Sequence, residues 1–318
     1  MPLQLIPANA TEKYILLKNN LMYKYTFSVI VPTFNRFEKL VKVLQSLENQ
    51  SFSKQAFEVI VINDGSTQPE YKNTISLKNN YSFELVYLIQ NNKGAAAARN
   101  MGIDNANGQY IIFLGDDTYA SIDLLSEHLR SHKNAGAEIS ALGFVDWDKN
   151  LKLNSLMRFI SPAGPQFDFR IKNITDVGYR RFYTSNISVP AHILKTEKFN
   201  EGFPGCNLED IELGYRLEKL GHKIHYNQKA VVYHDHFYAD INSYTKRQES
   251  AGRNKRILLN LHPELNNLWS NHSFLKLILI KDAAIILFAS IFNRKKNFYL
   301  RAIFEKAQIK AFLKTRKA

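Results

Sequence analysis

A chain of 318 residues that is 45% apolar is long enough to bury a sizeable core, as one large domain or one domain with appendages. Its single cysteine, Cys206, excludes an internal disulfide framework and suits a small buried or loop residue in a reducing compartment. The net charge of +13 is uneven: residues 240–318 carry 16 Lys/Arg against 5 Asp/Glu, a net +11, on a nearly neutral body. Such a tail suits a polyanionic surface, membrane or nucleic acid.

The opening MPLQLIPANATEKYILL has no basic segment followed by a long apolar run, so no secretory signal is expected. FSVIVP (27–32) reads as a buried strand, and Leu40, Val43, Leu44 and Leu47 give helical spacing over 38–47. FEVIVI (57–62) and ELVYLI (84–89) are further strands. The alanine run predicts a helix over 95–106 that Gly108 closes, and YIIFL (110–114) is a fourth strand. This alternation implies parallel strands with crossover helices, a Rossmann-like layer. A helix over about 121–135 and a strand near 138–146 continue it. Residues 148–185 show no clear pattern beyond a loop at Pro162, Gly164 and Pro165. A helix is expected from Leu208 to Gly221, then two short strands over 222–226 and 229–233. The charge change near 240 suggests an N-terminal extension (1–26), a main domain (27–239) and a basic, partly apolar helical region (240–318).

Four polar clusters stand at the ends of these elements: NDGS (63–66), GDD (115–117), LEDIELGYRL (208–217) and HDH (234–236). A carboxylate at the C-terminal end of a strand sits where open α/β sheets bind ligands. Asp64 could accept hydrogen bonds from ribose hydroxyls or a base N–H; the same residues could simply make an Asx turn, with Gly65 at positive φ. With no GxGxxG after the first strand and no Walker A sequence, phosphate charge must be met in another way. Asp116 and Asp117 could hold a divalent cation that bridges to a diphosphate, or form a solvated turn. His234 and His236, two apart on an extended segment, point to one side, where one could complete a metal shell begun by Asp117. Glu209 and Asp210 open a helix, where acids complement the dipole; one could also act as a general base.

In kind and order these residues resemble glycosyltransferase family 2, inverting enzymes of GT-A fold. The resemblance covers about 27–236 and is carried by VIVPTFNR (29–36), INDGST (62–67), NKGAAAARNMGI (92–103), GQYIIFLGDDT (108–118), TSNISVP (184–190) and LEDIELGYRL. It implies a mixed, mostly parallel sheet flanked by helices. It also implies transfer of a sugar from a nucleoside diphosphate donor, UDP-linked by family habit, to a glycan or glycolipid hydroxyl in polysaccharide or glycolipid assembly. By that likeness Pro32, Thr33, Asn35 and Asp64 would line the nucleoside pocket, and Gly94 and Arg99 would approach base or diphosphate. Asp116 and Asp117 would match the metal motif for Mn2+ or Mg2+, with His234 or His236 as a further ligand. Asp210 would be the catalytic base, and Arg99 would share the leaving group's charge with the metal. One departure is Gly115-Asp116-Asp117 where many members carry an acid first. This assigns the metal to Asp117 and leaves Asp116 for the ribose.

Rival readings are weaker on the residues. A nucleotidyltransferase would carry a Gly-rich basic loop where this chain has TFNR, and a polyprenyl-phosphate sugar synthase needs no general base. No nucleic-acid-binding motif accompanies the basic tail, so no nucleic acid partner is expected. Within the tail, residues 274–292 are apolar but interrupted by Lys276, Lys281 and Asp282, and the longest clean run, Ala283–Phe292, is shorter than the roughly 20 residues a span needs. After Arg294, Lys295 and Lys296 comes a stripe of Leu300, Ile303, Phe304, Ala307 and Ala311, bordered by Lys306, Lys310, Lys314 and Lys317. This stripe suits a helix lying on an anionic membrane, which would put a cytoplasmic protein on the inner face of the cell membrane. It equally suits a helix packed on the body with solvated lysines.

Overall fold

A computed structural model describes residues 22–71, 77, 80–136, 138–162, 164–205, 207–266, 269, 271–291 and 297–315. Cys206, the Arg294–Lys296 cluster and most of the expected N-terminal extension lie outside them. The chain divides into two compact units. One comprises Met1–Leu151, Ser161–Glu201 and Glu209–His236; the other comprises Lys152–Ile160, Gly202–Leu208 and Phe237–Ala318.

In chain order the elements are β1 (Tyr25–Thr33), α1 (Phe37–Glu48), β2 (Phe57–Asn63), β3 (Glu84–Ile89), α2 (Ala95–Asn105), β4 (Gly108–Leu114), β5 (Thr118–Ala120) and α3 (Leu124–Asn134). They continue with β6 (Ile139–Trp147), α4 (Ser155–Ile160), β7 (Asn186–Pro190), α5 (Ala191–Thr196), α6 (Glu209–Lys219) and β8 (Lys223–His234). The last three are α7 (Ile241–Leu261), α8 (His272–Ile291) and α9 (Asn297–Lys314).

Among the described residues the first unit is built on an eight-stranded sheet in the order β3-β2-β1-β4-β7-β6-β8-β5. The pairs β1–β2, β1–β4, β2–β3 and β6–β8 are parallel; β4–β7, β6–β7 and β5–β8 are antiparallel. The sheet is therefore mixed and mostly parallel, as expected. Strands β1 and β2 are covered on both faces, which is why Val29–Val31 and Val59–Ile62 are continuous apolar runs. Helix α1 buries Leu40, Val43, Leu44 and Leu47, the predicted stripe.

Two local expectations are corrected. Gly108 does not close α2, which ends at Asn105; it opens β4, where a Cβ would lie 2.4 Å from Ser28 N, so only glycine permits the close approach to β1. The two strands expected over 222–226 and 229–233 are one strand, β8, whose pairing with β6 shifts register between Gly143 and Phe144. The Asn186 amide enters that irregularity, donating to Ala230 O at 2.8 Å and Phe144 O at 3.0 Å. It leaves no room for a Cβ on Gly143, which would meet Asn186 Nδ2 at 2.2 Å.

The second unit is helical. Asp240 caps α7 by accepting from Ser243 N at 2.8 Å. Helices α7 and α9 approach closely at Gly252, where a Cβ would lie 2.2 Å from Gln308 O. Tyr244 is fully buried there against Tyr238 and Phe304. The stripe that suited either a membrane surface or packing is mostly core: Leu300, Phe304, Ala307 and Ala311 are buried. Among the described residues no helix is long and apolar enough to cross a membrane.

Candidate active site

Parallel register brings the strand ends to one edge of the sheet. Thr33 ends β1 opposite Asn63 of β2, and β4 runs alongside β1 with Ile30 opposite Phe113. Counting on from that pair, Asp116 falls level with Thr33. Thr33 Oγ1 donates to Asp116 Oδ2 at 3.0 Å and shares a 2.6 Å hydrogen bond with Tyr71 OH.

The turn after β1 puts Asn35 at φ +53°, a left-handed conformation that asparagine tolerates better than most residues. Its side-chain oxygen accepts from Thr67 N at 2.8 Å, and its own N–H donates to Ser66 Oγ at 2.9 Å. The TFNR and NDGST turns are thus tied together. Asn63 makes the Asx turn, accepting from Ser66 N at 2.8 Å, and Gly65 has φ +78°. Asp64 is buried and turned to the next loop: it accepts from Lys93 N, Gln90 Nε2 and Gly94 N at 2.8, 2.7 and 2.9 Å. Its carboxylate therefore fixes the entry to α2. Pro32 is half-buried at the end of β1, and Gly94 N-caps α2.

Asp117 meets two histidines. His236 Nδ1 lies 3.3 Å from its Oδ2 and His234 Nε2 3.5 Å from its Oδ1. One ligand atom from each of Asp117, His234 and His236 lies within 4.8 Å of the other two, and both imidazoles face the carboxylate as their spacing implies. His234 is stacked on Trp147, with Phe167 at its edge, and its buried Nδ1 has no hydrogen-bond partner. Asp235 faces elsewhere: it accepts from Tyr119 OH and is flanked by Lys39 and Lys42 at 3.8 Å. Asp116 is not in the three-residue cluster.

Arg36 was not among the expected site residues, although VIVPTFNR contains it. Its Nη1 donates to Asp116 Oδ1 at 3.1 Å and to Asp117 Oδ2 at 2.9 Å. Burial, followed by the charge of Asp117, pushes the Asp116 carboxyl up to about 6, against Arg36 and Thr33. Burial also opposes ionisation of Asp117, but His234, His236 and Arg36 outweigh it and hold the group well below the usual carboxylate range. Of the pair, Asp116 is therefore the acid that takes up a proton first.

Arg99 is paired within the protein. It is buried on α2 and commits Nη1 to Glu209 Oε1 at 2.8 Å, with Phe199 beneath its guanidinium. It fastens the start of α6. Arg99 Nε and Glu209 Oε2 are buried without partners. Asp210, next in the chain, is half-buried, and its Oδ1 accepts from Ile211 N at 2.8 Å.

Residues 28–202 match the family described as glycosyl transferase family 2. Validoxylamine A glucosyltransferase of Streptomyces hygroscopicus subsp. jinggangensis (strain 5008) is 30% identical over 223 residues, 61% of this chain and 51% of that protein. The poly(ribitol-phosphate) beta-N-acetylglucosaminyltransferase TarS of Staphylococcus aureus (strain Mu50) is 33% identical over 101 residues, 32% of this chain and 18% of that one. The chain spans about half the length of the first of these relatives. Among solved structures, the mannosyltransferase PcManGT from Pyrobaculum calidifontis in complex with GDP-Man and Mn2+ aligns with TM-score 0.62 at 12% identity, covering 96% of this chain and 95% of that one. TarS 1–349 in complex with UDP-GlcNAc aligns with TM-score 0.52 at 18% identity, covering 91% and 90%. These likenesses give the GT-A fold.

Proposed function

The chain belongs to glycosyltransferase family 2, and on that premise we propose that it moves a sugar from a UDP-linked donor to an acceptor hydroxyl with inversion at the anomeric carbon. The observation that carries this reading is the buried Asp117–His234–His236 cluster beside Asp116 and Thr33 at the ends of β1, β4 and β8. Its donor set of one carboxylate and two imidazoles fits a divalent transition ion such as Mn2+ better than Mg2+, which prefers all-oxygen shells. The partnerless Nδ1 of His234 does not compete, because the other ring nitrogen faces Asp117. When bound there, the ion neutralises charge on the diphosphate leaving group.

The remaining work falls to the chain. Thr33 and Asp116 offer a hydroxyl and a carboxyl to the ribose. Asp64 holds the loop at Lys93 and Gly94 where the nucleoside would lie. Arg36, partly exposed beside Asp116 and Asp117, supplies a cation for the phosphates. Asp210 takes the proton of the acceptor hydroxyl as the new oxygen–carbon bond forms, and the nucleoside diphosphate departs with the electron pair of the broken bond. Glu209 is not the base, because its charge is spent on Arg99. We take the acceptor to be a glycan or glycolipid hydroxyl in cell-surface polymer assembly, a class to which the poly(ribitol phosphate) named for TarS belongs.

The reading is tested by thermal shift with UDP, GDP and their sugars, with and without Mn2+, followed by a transfer assay with the donor that binds. Stabilisation by a UDP-sugar that requires Mn2+ is expected, since a ligand of the native state raises apparent stability. Binding that persists unchanged in EDTA would remove the metal from the reading, and stabilisation by GDP alone would remove uridine.

A further inference from the structure

Helix α8 is apolar on two opposite sides. On one, Leu275, Ile278 and Leu279 pack with Leu259, Ile309 and Phe312 in the core of the helical unit. The other carries Leu277, Ile280 and Leu287, which are 63%, 67% and 63% exposed, with Ala283 and Ala284 exposed between them. Steps of three and four residues through 277, 280, 284 and 287 put these side chains on one stripe along the helix. At 100° per residue, Lys276 and Lys281 fall on its two borders, and both are exposed. The one acid of the helix, Asp282, is fully buried on the far side. The solvent face of α8 is thus aliphatic in the middle with a lysine at each margin, Lys276 exposed and Lys281 paired with Glu305 Oε2 of α9 at 3.2 Å.

Three large aliphatic side chains aligned on a solvated helix face differ from the scattered apolar residues of an ordinary surface and mark an interaction site. The charge around them selects the occupant. A second copy of the chain would bring two regions of net +11 together and repel. An anionic lipid surface complements both features. The aliphatic stripe enters the boundary between headgroups and acyl chains, Lys276 extends along it to the phosphates, and the net positive charge of the region draws it to the leaflet. Helix α9 cannot take this role with its own stripe, because Leu300, Phe304, Ala307 and Ala311 are buried.

We propose that α8 is an in-plane membrane anchor that seats the chain on an anionic lipid surface through Leu277, Ile280 and Leu287. This is independent of the transfer chemistry. The full chain is to be sedimented with vesicles of phosphatidylcholine alone and of phosphatidylcholine with about a third phosphatidylglycerol, at low and high salt. The parent should bind the anionic vesicles at low salt and release partly at high salt. The double variant Leu277→Glu, Leu287→Glu should bind on the order of tenfold less or worse. Both positions are exposed, so its melting curve should match the parent's. Equal binding by parent and double variant would overturn the anchor, leaving charge alone as the cause. So would a parent that ignores vesicles yet forms a concentration-dependent dimer that the double variant abolishes.

Discussion

Arg36 Nη1 lies 2.9 Å from Asp117 Oδ2, so an internal cation sits against the carboxylate best placed to hold a metal. The same nitrogen reaches Asp116 at 3.1 Å, so one guanidinium offsets the repulsion between two adjacent buried acids. The guanidinium is two-fifths exposed, so water screens the pair and the side chain can swing outward. Arg36→Met should therefore bind Mn2+ more tightly in the absence of nucleotide, by about 1 kcal/mol or roughly fivefold. The same variant should bind UDP more weakly once metal is present, having lost a cation for the phosphates. Calorimetric titration of Mn2+ and then UDP reads both changes. Unaltered metal affinity would mean that Arg36 does not compete for Asp117.

Asp117→Ala leaves His234 and His236 without the anion they face. Two imidazoles alone make a much poorer site for a hard or borderline dication. The variant should lose the Mn2+-dependent part of its thermal shift, and its UDP affinity should fall to the level the parent shows in EDTA. A Mn2+-dependent shift of normal size would place the ion elsewhere.

Glu209 and Asp210 are adjacent yet should fail in different ways. Asp210→Asn should fold and bind donor normally while transfer falls at least ~100-fold, the scale of lost general-base catalysis. Glu209→Ala strands the buried Arg99 guanidinium, so its primary effect should be a stability loss of about 3–5 kcal/mol. Denaturant melts and turnover rates on the two variants separate these outcomes. A stable, inactive Glu209→Ala paired with an active Asp210→Asn would reverse the assignment.

The parts of this fold legible in the sequence are those whose burial is locally patterned. Strands β1, β2 and β4 read as continuous β-branched runs because helices cover both faces, and α1 reads from spacing alone. Strand β7 does not. Its five residues sit between β4 and β6, and its antiparallel partners in β4 lie more than 70 residues away, so nothing local dictates the pairing. The site shows the same division. The acids and histidines stand at strand ends, where chain order exposes them. The partners of Arg36 and Arg99 lie about 80 and 110 residues off, and no short-range pattern announces either pair. The C-terminal region shows the converse: the apolar stretch of α8 and the stripe of α9 were both visible, but which residues are core depends on how α9 meets α7 and α8.

The sheet also contains a titratable core away from the strand-end acids. On α3, His128 is fully buried between Ser188 Oγ and Asn186 Oδ1, both at 2.9 Å. His132 lies 2.7 Å from the same Ser188 and stacks on Tyr110. Burial pushes His128 down to about 4 and His132 to about 3, so both are neutral when folded at any pH near 7. In the unfolded chain each titrates near 6.5. Below that value the unfolded state binds more protons, so stability is complete above pH 6.5 and falls as pH drops toward 4. Each histidine contributes about 1.4 kcal/mol per pH unit within that window. Asp116, raised to about 6, acts in the opposite sense over part of the range, so the absolute slope mixes the two effects. Comparison with His132→Gln isolates the histidine. The variant should lose stability at pH 7.5, where it gives up the Tyr110 stack, but its decline between pH 6 and 4.5 should be shallower by one proton's worth. Guanidinium unfolding midpoints at several pH values measure both curves. Parallel curves for parent and variant would show that His132 is already protonated in the fold.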